Sequence, residues 1–196
     1  EEPYDRVSAL IALAQNSAPE ARAGLVAESW RLLRQVENGY DRAMALAALA
    51  PLLPRQAEGD ITRAISNSIS VISDAYDRAS AIILLVPLLA TEKVEQKPKL
   101  PNGAMILRDG FRVAMQVSGQ QDRADLLREG VTCWLASFSL DDQAAHHAIW
   151  GDLMPLLGTL SLSDAMLCVE ELLPIIQRLA GEQGVLDSLI AFGLPE

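Results

Sequence analysis

The chain has 196 residues, half of them apolar and 5% aromatic, and its 16 Lys and Arg against 26 Asp and Glu leave a formal charge of −10. That length suits one domain with a sizeable core, or a fragment of a longer chain, and the dominance of leucine and alanine with few Val, Thr, Tyr and Phe argues for helix and against a β-sandwich or barrel. An acidic balance with a pI near 4.7 disfavours nucleic acid as a partner, since phosphate binding needs a clustered excess of Lys and Arg.

The chain opens Glu1-Glu2-Pro3 without Met, which reads as an excised fragment or as a product whose leader has been removed. A cytoplasmic origin is expected, with a processed exported form as the alternative. The tripeptide Tyr4-Asp5-Arg6 then opens a periodic stretch and returns as Tyr40-Asp41-Arg42 and Tyr76-Asp77-Arg78, at two successive spacings of 36 residues. The register continues through Val7/Ala43/Ala79, Ala9/Ala45/Ala81, Leu10/Leu46/Ile82 and Leu13/Leu49/Leu85. Internal repeats of this length are the mark of stacked helical arrays.

Within each copy the apolar residues after the tripeptide, including Leu52 and Leu53 or Leu88 and Leu89, follow the 3-and-4 spacing of a helix face. The Asp is placed as an N-cap or as a first-turn acid. Pro51 and Pro87 each remove an N–H and bend or end this first helix after about three turns. A second helix is expected from Pro19 to about Asn38 in copy one and from about Gly59 to Ala75 in copy two, with Gly39 at a left-handed C-terminal position. Leu10, Leu46 and Ile82 should all be nearly fully buried.

In the third unit a polar stretch from Thr91 to Asn102 with two prolines reads as an exposed loop. It carries Lys93, Lys97 and Lys99, a local cationic cluster and a candidate contact for an acidic partner. Its second helix is expected at about 104–117. The next Asp-Arg pair, Asp122-Arg123, comes 45 residues after Asp77-Arg78, an insertion of nine, with Gln121 in place of Tyr. Helices are then expected near 121–138, 142–157, 163–180 and 183–192. The predicted architecture is one domain over residues 1–196, an all-α, right-handed α-solenoid of stacked helical hairpins with units at about 4–39, 40–75, 76–120 and 121–160 and a cap at 161–196.

Candidate chemistry is sparse. Arg6, Arg42, Arg78 and Arg123 could line one edge as a cationic ladder for an acidic partner, or could pair with neighbouring Asp residues while each Tyr packs between hairpins. His146 and His147 point about 100° apart on a helix and cannot share one metal. Cys133 and Cys168 are too few for a disulfide framework and read as buried thiols. No nucleophile elbow, phosphate loop or His-Glu-x-x-His occurs, so no catalytic residue, cofactor or metal is assigned. Trp30, Trp134 and Trp150 are the aromatic residues that would anchor a partner if exposed, or else pack in the core; Trp30, which aligns with Ser66 outside the repeat core, is the candidate partner anchor among them. The longest apolar run, 79–90, falls short of the roughly 20 residues that span a bilayer.

Asp41-Arg42-Ala43-Met44-Ala45-Leu46-Ala47-Ala48-Leu49-Ala50-Pro51-Leu52-Leu53-Pro54 resembles the Ala-rich Asp-Arg-Ala-x-Ala-Leu-x-x-Leu-Ala-Pro-x-Leu repeat of bacterial helical-repeat proteins, which are similar to tetratricopeptide and HEAT repeats. The resemblance implies a sensing or assembly module beside an effector domain of a bacterial signalling protein. Two functions are therefore carried forward. One is a non-catalytic protein–protein interaction or sensor/scaffold module, its partner another protein or a flanking domain of the same chain. The other is a small enzyme or small-molecule binder with a pocket among the C-terminal helices.

Overall fold

The computed structural model describes residues 2–54, 57–89, 102–139 and 141–191, apart from the side chains of residues 58, 89, 102 and 182–191. Among the described residues the chain is all-α, with nine α-helices, two short 3-10 turns and no strand. The helices are α1 (Pro3–Gln15), α2 (Pro19–Leu32), α3 (Gly39–Leu49), α4 (Glu58–Ser70), α5 (Ala75–Leu89), α6 (Asn102–Ala114), α7 (Gln120–Ser137), α8 (Gln143–Leu157) and α9 (Leu162–Ala191). The chain divides into two compact units, residues 1–81 and 82–196.

Local signals explain where the helices begin. The Asp-Arg helices start at Pro3, Gly39, Ala75 and Gln120, and in each the Arg amide donates to the carbonyl four residues back: Arg6 to Glu2, Arg42 to Asn38, Arg78 to Asp74 and Arg123 to Gly119, at 3.0–3.3 Å. The cap is the residue three before the Asp, so Asp41 acts as a first-turn acid. Asn38 Oδ1 accepts from the amides of Tyr40 and Asp41, and Asp74 Oδ1 accepts from that of Asp77, each satisfying helix donors that would otherwise be orphaned.

In the first unit α1 packs on α2 and α3 on α4, each as a hairpin, and α1 also packs on α3. Val7, Ile11, Ala14, Leu32, Leu33, Val36, Ala43, Leu46, Leu49, Ile61 and Ile65 form its core. Three expectations need correcting here. The second helix ends at Leu32 and tightens into a 3-10 turn at Leu33–Gln35, so that Val36 can turn its side chain into the core. Gly39 is the first residue of α3, and the left-handed glycine among the described residues is Gly181. A Cβ at Gly39 would stand 2.8 Å from the Ser68 carbonyl oxygen, so closeness of α4, rather than a positive φ, calls for glycine. Finally, Leu46 is 3% exposed and Ile82 is buried, but Leu10 is only half-buried and Leu13 is 57% exposed. α3 has α1 and the 3-10 turn packed against it, whereas no such element precedes α1 among the described residues.

In the second unit α6 packs on α7 and α8, and α9 packs on α7 and α8. Phe111, Leu126, Leu127, Val131, Trp134, Ile149, Leu153 and Leu172 are fully buried or nearly so. A Cβ at Gly130 would overlap the Phe111 ring, so glycine at that position of α7 leaves the space that the ring from α6 fills. The two prolines behave differently. Pro51 falls in the 3-10 turn Ala50–Leu52 that ends α3, but Pro87 lies inside α5. Helix α9 breaks at Gly181, where φ is +70°.

Candidate protein-docking groove

One stripe of α2 is only partly covered by its own hairpin, with Trp30 and Arg22 half-buried and Val26 buried at its base. Pro19, Arg22, Ala23, Val26, Ala27 and Trp30 recur at intervals of three and four, which puts them on one helix face, and together with Leu52, Leu53, Pro54, Ala57 and Asp60 they line a hollow of about 750 Å³. A second hollow of about 370 Å³ lies between Leu33 and Arg34 on one side, Ala64, Asn67 and Ser68 of α4 on the other, and Arg42 and Leu46 of α3. Trp30 lines both. The two hollows adjoin at Trp30 as a trough open to solvent, the first of them following α2 for about 16 Å from Pro19 to Trp30 at 1.5 Å per residue.

Leu52 and Leu53 were expected on a helix face. They lie instead at and just beyond the 3-10 turn, half-exposed, on the wall of the trough. Pro51 and Pro54 bracket them, and that bracketing is the sequence signal for a segment that cannot continue a helix. Arg22 and Arg34 also line the trough and had no motif to announce them.

The four repeat arginines do different things. Arg42 donates through Nη1 to the Val36 carbonyl at 2.9 Å and through Nε to Ser68 Oγ at 3.0 Å. Arg123 donates to the Val117 carbonyl at 2.7 Å and reaches those of Ser118 and Thr159. In both copies the acceptor is six residues back, on a buried residue that precedes the helix: Val36 in one and Val117 in the other. Arg78 stands six residues after buried Ile72. Arg6 is different, its side chain 60% exposed and 3.9 Å from Glu28. The hydrogen bond from Arg31, reinforced by the charges of Arg31 and Arg6, holds the Glu28 carboxyl below its ordinary range. Tyr4 and Tyr40 are half-buried and Tyr76 is exposed. Lys93, Lys97 and Lys99 lie outside the described residues.

His146 and Trp134 form a buried polar pair. The indole N–H donates to His146 Nδ1 at 2.9 Å, and the other ring nitrogen contacts the Ser139 carbonyl at 2.9 Å. Since an indole can only donate and a carbonyl only accept, Nε2 carries the proton. Both imidazole nitrogens are thus engaged by the chain itself. His147 is exposed and turned toward Gln143. Among the described residues no group of three or more His, Cys, Asp or Glu is placed to hold a metal ion, and no helix is long and apolar enough to cross a membrane. Cys168 is fully buried, and burial pushes its thiol up to about 12. Burial also raises that of Cys133.

No family model, no curated protein and no solved structure matches the chain.

Proposed function

We propose that the chain is a non-catalytic protein–protein interaction module, a scaffold or sensor of the right-handed α-solenoid kind belonging to a larger bacterial signalling protein of the cytoplasm. The observation that carries this reading is the trough beside Trp30, an apolar surface open along one helix and long enough for about three turns of a partner helix. Small-molecule sites enclose most of their ligand; an open trough of this length suits a chain segment, taken up as helix-in-groove recognition takes up apolar anchors. Tryptophan is the residue type most often found at the energetic centre of such contacts.

Three regularities support the repeat part of the proposal. The first three Asp-Arg helices begin 36 residues apart, all four Arg amides bond to the cap residue, and Arg42 and Arg123 reach back six residues to the same kind of carbonyl. Equal spacing is what stacked hairpins require of their sequence. The free thiols of Cys133 and Cys168 fit a reducing compartment.

The experiment is selection of randomised 12-residue peptides displayed on phage against the full chain, with the Trp30→Ala variant checked for helicity and melting. Selected peptides should bind the parent chain and lose most of their affinity for Trp30→Ala. Peptides that bind both proteins equally, or a selection that enriches nothing, would overturn the reading.

A further inference from the structure

Among the described residues most arginines with a side-chain partner are paired with carboxylates, although Arg123, which does not line the trough, donates only to carbonyls. Arg31, Arg63, Arg108, Arg112, Arg128 and Arg178 each lie within ion-pair distance of a carboxylate. The three arginines that line the trough do not. Arg22 is tied to the neutral carbonyls of Ala14 and Ser17, and Arg42 to a carbonyl and a hydroxyl. Arg34 is exposed and has no hydrogen-bonding or ionic partner among the described residues. The acid on the trough wall, Asp60, is bonded to Arg63 at 3.2 Å. A chain with a formal charge of −10 thus sets three guanidinium groups without carboxylate partners around one apolar trough.

We infer that the trough binds an acidic amphipathic segment of a partner protein, its apolar residues against Trp30, Val26 and Leu53 and its carboxylates toward Arg34 and Arg42. The inference rests on the protein-docking reading above and adds the chemistry of the partner. Charge complementarity selects the segment: a guanidinium fork matches a carboxylate bidentately, and like charge across the same surface rejects a basic segment. Arg22 and Arg42 have part of their fork occupied by carbonyl and hydroxyl acceptors, so Arg34 is the cation freest to reorient toward a ligand.

The test uses three fluorescein-labelled 14-residue peptides of one apolar pattern, with leucines at helical spacing and the remaining positions Glu, Gln or Lys, titrated into the full chain by anisotropy at low and high salt. The Glu peptide should bind most tightly, weaken as salt rises, and lose affinity by about fivefold or more in Arg34→Glu, a surface substitution expected to leave melting unchanged. Trp30→Ala should abolish its binding. A Gln or Lys peptide that binds as tightly in a Trp30-dependent way would overturn the acidic assignment while leaving the docking reading intact. Binding of none of the three would overturn both. Glu-peptide binding that is unmoved by Arg34→Glu would also overturn the assignment.

Discussion

The thiol of Cys133 donates across 3.3 Å to the carbonyl oxygen of Ile83, the atom four residues before Pro87. A proline has no N–H to give to the carbonyl one turn back, so that oxygen loses its helical donor inside α5, and a cysteine of α7 replaces it. Cys133→Ala should therefore destabilise the chain by about 1 kcal/mol in urea unfolding. In the Pro87→Ala background, where the amide is restored, the same substitution should cost much less. Equal costs in the two backgrounds would show that the thiol acts through packing alone.

A second buried polar contact can be tested in the same way. Trp134→Phe keeps most of the ring but leaves His146 Nδ1, 1% exposed as a residue, with no donor. The expected cost is about 1–3 kcal/mol. A loss within the error of the unfolding curve would mean that the imidazole finds another partner.

Repeat position does not set the cost of removing a repeat arginine. Arg42→Ala should lower stability by about 1.5–3 kcal/mol, because two hydrogen bonds of a charged group that fasten the turn before α3 to α4 are lost. Arg6→Ala removes only an exposed pair at 3.9 Å and should leave the unfolding midpoint almost unchanged. Equal losses would indicate that the arginine contributes through helix initiation, which both copies share.

These contrasts also show what could be read from the residues alone. The helix starts were legible because the tripeptide sits at a fixed distance from each cap, and the all-α class because leucine and alanine leave little else. The role of Asp41 was only half legible, since Asn38 takes the cap and nothing in the tripeptide points to it. Buried Val36, Ile72 and Val117, each six residues before an Arg, were a usable signal for the carbonyl acceptors, but an arginine beside aspartates suggests an ion pair first. The trough was invisible beyond Trp30, because Arg22, Arg34, Leu53 and Ala57 meet only once two hairpins have packed. So was the pairing of Trp134 with His146, twelve residues apart on different helices.

The raised thiol of Cys168 carries a pH prediction. Its folded value, near 12, exceeds the ordinary thiol value of about 8.5, so below that value both states are protonated and its contribution to stability is fully present. As pH rises further the unfolded chain ionises first and stability falls, by up to about 1.4 kcal/mol per pH unit from this group, until the folded thiol also ionises. The decline between pH 9 and 11 should be steeper in the parent chain than in Cys168→Ala. Native Cys168 should also resist alkylation at pH 8. Parallel curves, or rapid alkylation without unfolding, would contradict this.

Photocrosslinking tests the docking trough most directly. A benzophenone side chain placed in turn at Ala27 and at Asn67, which are exposed and line its two hollows, and at Thr132, which is exposed on α7, is irradiated with a peptide selected for binding to the chain. If the segment docks beside Trp30, adducts form from positions 27 and 67 and not from 132. Adducts from 132, with none from either trough position, would place the binding surface elsewhere and contradict the assignment.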